Sequence, residues 1–156
     1  MVVAAAGNDA TRARFFPAAF AVKGQDDLVG VGATNPDDRS ITLFSNVGDW
    51  VTAHAPGAGV VSTVPVTLSG SLNPVLSVEG FGPGPRAGVD FDDFRSGFAV
   101  WSGTSFASPW IAGEIAAGIV KREGGENAGV GLSRARQAST VVVARANAER
   151  FEEKEQ

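Results

Sequence analysis

Apolar residues in this chain cluster into short unbroken runs and seldom alternate with polar ones. "VVAAA" covers residues 2–6, "LVGVGAT" covers Leu28–Thr34 and "GVVSTVP" covers 59–65. Each run is a few residues long and ends at turn-forming residues: "GND", "NPDD" and Pro65 itself. Short apolar runs bounded in this way predict strands, the first two of them buried in a core. "ITLFSNVG" and "WVTAHAPG" lie between the second and third runs, with turn signals at each end. From Thr104 the spacing changes. Phe106, Ile111, Ile115, Ile119 and Val120 are interleaved with alanine and glycine, which predicts a helix buried on most sides. Lys121 and Arg122 then fall in its last turn, where cations suit the negative helix end, and Gly124 and Gly125 can stop it. Residues 133–156 predict one or two surface helices, with 151–156 as a charged tail.

The stretch 65–99 breaks this rhythm. It carries Gly, Pro and acidic residues without periodicity, and it predicts a long surface excursion with room for a hairpin. Loops of that length in a compact domain are functional or disordered. Strands separated by buried helix place the remainder in the α/β class.

Composition narrows the picture. The 156 residues suit one domain, or part of a larger one. The hydrophobic share of 44% belongs to a folded globular chain. A net charge of −4 and the absence of any Lys/Arg-rich run argue against a nucleic-acid surface. No apolar run approaches the roughly 20 residues of a membrane span, so no membrane partner is expected. There is no cysteine, which removes disulfide, thiol and Cys-metal chemistry. The opening "MVVAAAGNDA" has no basic flank and makes a poor signal peptide.

Candidate chemistry centres on "WSGTSFASPWIAG". Ser105 sits at the mouth of the predicted helix, where unpaired N–H groups and a partial positive charge face outward. A serine hydroxyl needs a base to take its proton and donors for the oxyanion that forms. The simpler reading is an N-cap, for which Thr104 or Ser102 would serve.

The run "SGTSFASPWIAG" resembles the serine motif of the subtilisin-like proteases, the subtilases. Further stretches agree in order: "VVAAAGND", "FFPAAF", "LVGVGATN", "LFSNVGDWVTAHAPG" and "GVVSTVP". The resemblance covers most of residues 2–120, is interrupted by 65–99 and weakens after Gly124. It implies one doubly wound, mainly parallel sheet with helices on both faces. Residues 1–150 would be the C-terminal portion of one catalytic domain, with 65–99 as an insertion. It also implies a serine endopeptidase acting on polypeptides through an acyl-enzyme. Ser105 would be the nucleophile, and Asn8 the side-chain oxyanion donor beside the Ser105 N–H. Ala5, Ala6 and Gly7 would line the specificity pocket, and Gly103 and Thr104 would lie beside the substrate. Phe15 falls where relatives carry a small residue at the pocket floor, which implies a shallower or reshaped pocket.

The family's triad also needs an Asp and a His ahead of the serine, in motifs resembling D-[ST]-G and H-G-T-H. Neither motif occurs here. His54, the only histidine, lacks those surroundings and reads as structural, while Asp26, Asp27, Asp37 and Asp38 read as solvated turn charges. The missing groups belong upstream of Asn8, so the chain is expected to be incomplete at its N-terminal side and inactive alone, with the missing segment of the same domain as its partner. Two other readings stay open: a non-catalytic protein that binds extended peptides in the old cleft, and a subunit completed by another chain. An α/β-hydrolase is a weaker rival, since Ser105 lacks the G-x-S-x-G elbow. Many relatives bind structural calcium. Asp90, Asp92 and Asp93 are the candidates for an ion in the 65–99 stretch, and no full ligand set is matched. Relatives are mostly exported as precursors, which implies an extracellular location.

Overall fold

The structure, a computed structural model, describes residues 1–23, 27–70, 77–79, 83–84, 86–88 and 92–120. The helices expected over 133–156, the charged tail, the helix stop at Gly124 and Gly125, and Asp26 and Asp90 lie outside these residues. The chain divides into two compact units: Met1–Val60 with the chain from Ser102 onward, and Val61–Trp101.

The first unit is built on three strands, β1 (Val2–Ala5), β2 (Leu28–Thr34) and β3 (Ala53–Pro56), in the order β1-β2-β3. All pairings are parallel: Val3 lies beside Val29, and Ala33 beside Ala55. The central strand explains the unbroken apolar run. One face of β2 presents Val29, Val31 and Ala33 to a cluster with Ala53, Ala55, Ala107, Ile111 and Ile115. Its other face carries Gly30 and Gly32, over which Trp50 and His54 lie close. A parallel strand covered on both faces has no polar side to alternate with.

The helix α1 (Thr104–Val120) lies against all three strands. Ile111 is wholly buried at its centre, but only the face toward the sheet is covered: Trp110, Gly113, Glu114 and Ala117 are exposed, so the helix is not buried on most sides as its spacing predicts. The opposite face of the sheet is covered by a short 3-10 turn, Ala18–Phe20, and by Trp50, which pack with Ala4 and Ala6. This is the α/β fold with a mainly parallel sheet that the sequence predicts. Among the described residues the second face carries a 3-10 turn where a full helix was expected.

Asp37, exposed in the turn after β2 as its reading as a solvated charge expects, and the half-buried Asp38 also take hydrogen bonds within the turn. Asp37 accepts from the Arg39 N–H at 3.1 Å and from the Ser40 N–H at 3.3 Å. Asp38 accepts from the buried Thr34 hydroxyl at 2.7 Å. Short carboxylates recruit nearby backbone donors in turns, which is why they settle there.

Four further strands follow, one before the expected excursion and three within it or at its end. β4 (Val60–Thr63) pairs with β7 (Phe98–Trp101), a strand not expected from the sequence. A two-residue antiparallel ladder joins β5 (Ser77–Val78) to β6 (Arg86–Ala87), which supplies the hairpin. Phe94 is buried and meets Trp101 edge-on, with ring centroids 5.9 Å apart.

Candidate active site around Ser105

β1 runs into Gly7, whose φ of +98° is a left-handed backbone that side chains rarely adopt. A Cβ here would also collide with the Asn46 amide and come within 2.9 Å of the Phe15 ring. Glycine therefore lets the chain reverse at the end of β1 and present Asn8 beside the start of α1.

The start of α1 is held from a second direction. The Thr34 carbonyl, at the end of β2, accepts from the Gly57 N–H at 3.1 Å. The Gly57 carbonyl in turn accepts from the Gly103 N–H at 2.7 Å. Backbone hydrogen bonds thus tie the helix tip to the carboxyl end of the central strand. A Cβ on Gly57 would stand 2.7 Å from Ala33 Cβ and 2.9 Å from the Gly103 carbonyl oxygen, so only glycine permits this approach.

The two arms meet at Thr104, which is wholly buried. Asn8 Oδ1 accepts from the Thr104 N–H at 2.8 Å, across 96 residues of sequence. It accepts again from the Thr104 hydroxyl at 3.0 Å, and that hydroxyl accepts from the Gly7 N–H at 3.1 Å. The local cap expected from Thr104 or Ser102 is not made. The Ser102 hydroxyl accepts from the Gly59 N–H at 2.9 Å, and the Thr104 hydroxyl is spent on Gly7 and Asn8. Asn8 does the capping from a distant strand end.

This arrangement determines the orientation of the Asn8 amide. Its oxygen faces the Thr104 donors, so the Nδ2 group, a donor of two hydrogens, is the end left over. Nδ2 is 3.3 Å from where a Cβ of Gly103 would stand, so a side chain there would crowd it. Asn8 and Ser105 are both exposed. Ser105 is the second residue of α1; its neighbours' N–H groups bond to Asn8 and to the Gly103 carbonyl. Among the described residues the Ser105 N–H has no partner. A backbone donor, a side-chain amide and a hydroxyl thus gather at the helix tip, where the helix field favours negative charge.

Of the remaining predicted positions, Ala5 is half-buried at the end of β1, while Ala6 and Gly7 are buried behind the turn. Phe15 lies with its ring over Gly7, and the Phe16–Pro17 peptide that follows is cis. His54 lies on β3 with its ring over Gly32. Asp92 and Asp93 accept from the Phe94 and Arg95 N–H groups, and Asp93 also pairs with Arg95 at 3.0 Å. Their carboxylates are committed to a turn, and among the described residues no three His, Asp or Glu side chains gather as a calcium site would need. A cavity of about 670 Å³ elsewhere in this unit is lined by Arg12, Arg14, Phe20, Lys23, Asp49 and Trp50. None of these was a predicted site residue.

One residue was passed over. Asn46, inside "LFSNVG", is wholly buried and hydrogen-bonded on both sides of Asn8. Its only sequence signal is a polar pair, Ser45 and Asn46, between apolar neighbours.

A mainly parallel sheet packed by one helix, with Ser105 and the Asn8 amide at the helix tip, is an α/β architecture. The chain belongs to the subtilase family: the family model for Peptidase S8 matches residues 1–149. It is 34% identical over 113 residues to the thermophilic serine proteinase of Bacillus sp. strain AK1, covering 72% of this chain and 20% of that protein. It is 32% identical over 123 residues to the alkaline elastase YaB of Bacillus sp. strain YaB, covering 79% of this chain and 23% of that protein. The chain thus spans about a fifth of the length of these relatives. Among solved structures, a cold-adapted subtilisin-like serine proteinase superposes with a TM-score of 0.57 at 23% identity, over 96% of this chain and 39% of that one. The prenylagaramide maturation protease PagA matches with a TM-score of 0.50 at 25% identity, over 77% of this chain and 32% of that one.

Proposed function

We propose that this chain is the serine-bearing part of a subtilisin-like endopeptidase, in which Ser105 is the nucleophile and Asn8 the side-chain oxyanion donor. The observation that carries this is the hydrogen bond from the Thr104 N–H to Asn8 Oδ1 at 2.8 Å. It turns the Nδ2 donors away from the helix, one residue from the nucleophile.

In this mechanism Ser105 Oγ attacks the carbonyl carbon of a peptide bond as a base removes its proton. The carbonyl oxygen becomes an oxyanion and receives hydrogen bonds from the Ser105 N–H and Asn8 Nδ2. The intermediate collapses, the C–N bond breaks, and the amine leaves with a proton. Water then attacks the acyl-serine by the same route and releases the acid. The base and its orienting carboxylate come from a segment bearing the D-[ST]-G and H-G-T-H motifs. A single oxyanion donor contributes about 10²–10³ in kcat, a magnitude established on a subtilisin and taken over from that relative.

Phe15 bears on specificity. Its ring lies over Gly7, one of the residues that would line the pocket, which suits small P1 side chains. A cleavage profile dominated by large P1 residues would remove this part of the reading. Membership of a family mostly exported as precursors supports an extracellular location.

A fluorophosphonate probe, which reacts with activated serines, tests the core of the proposal. The 156-residue chain alone should label slowly. The chain joined to the N-terminal part of the AK1 proteinase catalytic domain, which would supply the Asp and His motifs, should label rapidly. Ser105→Ala should abolish that labelling. Rapid, Ser105-dependent labelling of the chain alone overturns the assignment of the base to another segment; no labelling of the joined protein sinks the endopeptidase reading and favours a peptide-binding protein instead.

A further inference from the structure

We propose that Asn46 is a positioning residue for the reaction: it grips the loop on both sides of Asn8 and so sets where the Asn8 amide stands relative to the Ser105 N–H. This rests on the assignment of Asn8 as the oxyanion donor.

The loop has a problem that Asn46 solves. Between the end of β1 and Thr11 the backbone belongs to no helix or strand, so its polar groups need partners from elsewhere. It also contains Ala10 at φ +52°, a left-handed conformation that alanine adopts only when its surroundings over-determine it. Asn46 Oδ1 accepts from the N–H of Asp9 at 2.9 Å and of Thr11 at 3.3 Å, the residues on either side of Ala10. Asn46 Nδ2 donates to the Ala6 carbonyl at 3.0 Å, and the Asn46 N–H donates to the Gly7 carbonyl at 3.0 Å. These bonds fall on Ala6, Gly7, Asp9 and Thr11, bracketing Asn8, while Thr104 holds the Asn8 side chain.

The residue type follows from the chemistry. One short side chain must accept two N–H groups and donate to one carbonyl at once, which an amide can do. Aspartate keeps the acceptor and turns a carboxylate toward the Ala6 oxygen. Alanine leaves two backbone donors in a part-buried site without partners. Asn46 itself is wholly buried, and the two amides it serves are part-buried.

The test has two arms. In the first, hydrogen exchange is followed in the chain itself. Asn46→Ala should speed exchange of the Asp9 and Thr11 amides by more than about tenfold, with the core amide of Val31 unchanged. Unchanged exchange at Asp9 and Thr11 overturns the proposal. In the second arm, the joined catalytic domain is assayed on a chromogenic peptide. Asn46→Ala should lower kcat by roughly 10- to 100-fold, the scale of an ångström-sized misplacement, with KM within about twofold. Asn46→Asp, which retains the acceptor, should keep the fold and recover part of the loss. In an Asn8→Ala background, Asn46→Ala should cost little more, because it acts through a donor already gone. An equal cost in both backgrounds, or a loss carried by KM, makes Asn46 only a prop of the fold and overturns the proposal. Unchanged kcat for Asn8→Ala alone removes the oxyanion assignment instead, and is read before any Asn46 variant.

Discussion

Thr104→Val keeps the shape of a side chain that is wholly buried and deletes one hydroxyl. Two hydrogen bonds go with it: the one accepted from the Gly7 N–H at 3.1 Å and the one donated to Asn8 Oδ1 at 3.0 Å. Gly7 is buried, so its N–H is left without a partner, at a cost of about 1–3 kcal/mol. The bond to Asn8 is only part-buried and contributes about 0.5–1.5 kcal/mol net. Asn8 retains the Thr104 N–H at 2.8 Å, so the loop is loosened and not released. The expected total is about 1.5–4.5 kcal/mol, the sum of an orphaned donor and a lost bond. For a domain of this size it lowers Tm by roughly 3–18 °C. Urea unfolding followed by tryptophan fluorescence measures it as a lower midpoint at unchanged slope. Thr104→Ser is the control: it keeps the hydroxyl and loses a methyl, worth about 1 kcal/mol. If the valine variant is as stable as the serine variant, the hydroxyl is not the joint between β1 and α1, and the site geometry argued from it fails.

Three further outcomes follow from the packing and the charges. Ile111→Ala, at the centre of the cluster between α1 and the sheet, should cost about 2–5 kcal/mol in urea unfolding, from lost transfer energy plus the cavity left; less than about 1 kcal/mol means the helix is not seated as described. Gly57→Ala should cost at least about 1–3 kcal/mol, because its methyl would enter space held by Ala33 and the Gly103 carbonyl, and an unchanged midpoint refutes that close approach. The Asp37 carboxyl is held below its ordinary 3.8, first by the Arg39 N–H and then by Ser40, partly offset by desolvation. Its folded pKa is depressed, so the stability it adds to the turn is fully present above the unfolded value and fades as pH falls through the folded one. An NMR titration of the Arg39 amide should show its midpoint below 3.8; a midpoint at or above that value contradicts the bonding.

The sequence alone determined what depends on neighbours along the chain. The unbroken runs at residues 2–6 and Leu28–Thr34 announce strands, and β1 and β2 lie there; β2 is buried almost throughout, while β1 leaves Val2 exposed. The change of spacing at Thr104 announces the helix, and the order of motifs announces the family. β7 escaped notice because Phe98–Trp101 becomes a strand through its pairing with β4, more than thirty residues earlier in the chain. The hydroxyls of Ser102 and Thr104 suited an N-cap equally well on local grounds. Only the tertiary structure decided that both are used elsewhere, and that Asn8, 96 residues away, satisfies the Thr104 N–H. Asn46 was invisible for the same reason: a polar residue beside Ser45 in a short loop says nothing of which carbonyl and amides it will meet. Hydrophobic spacing is a local property and survives in one dimension. A buried hydrogen bond between distant segments depends on how strands and helix stack, and only the packed fold selects it.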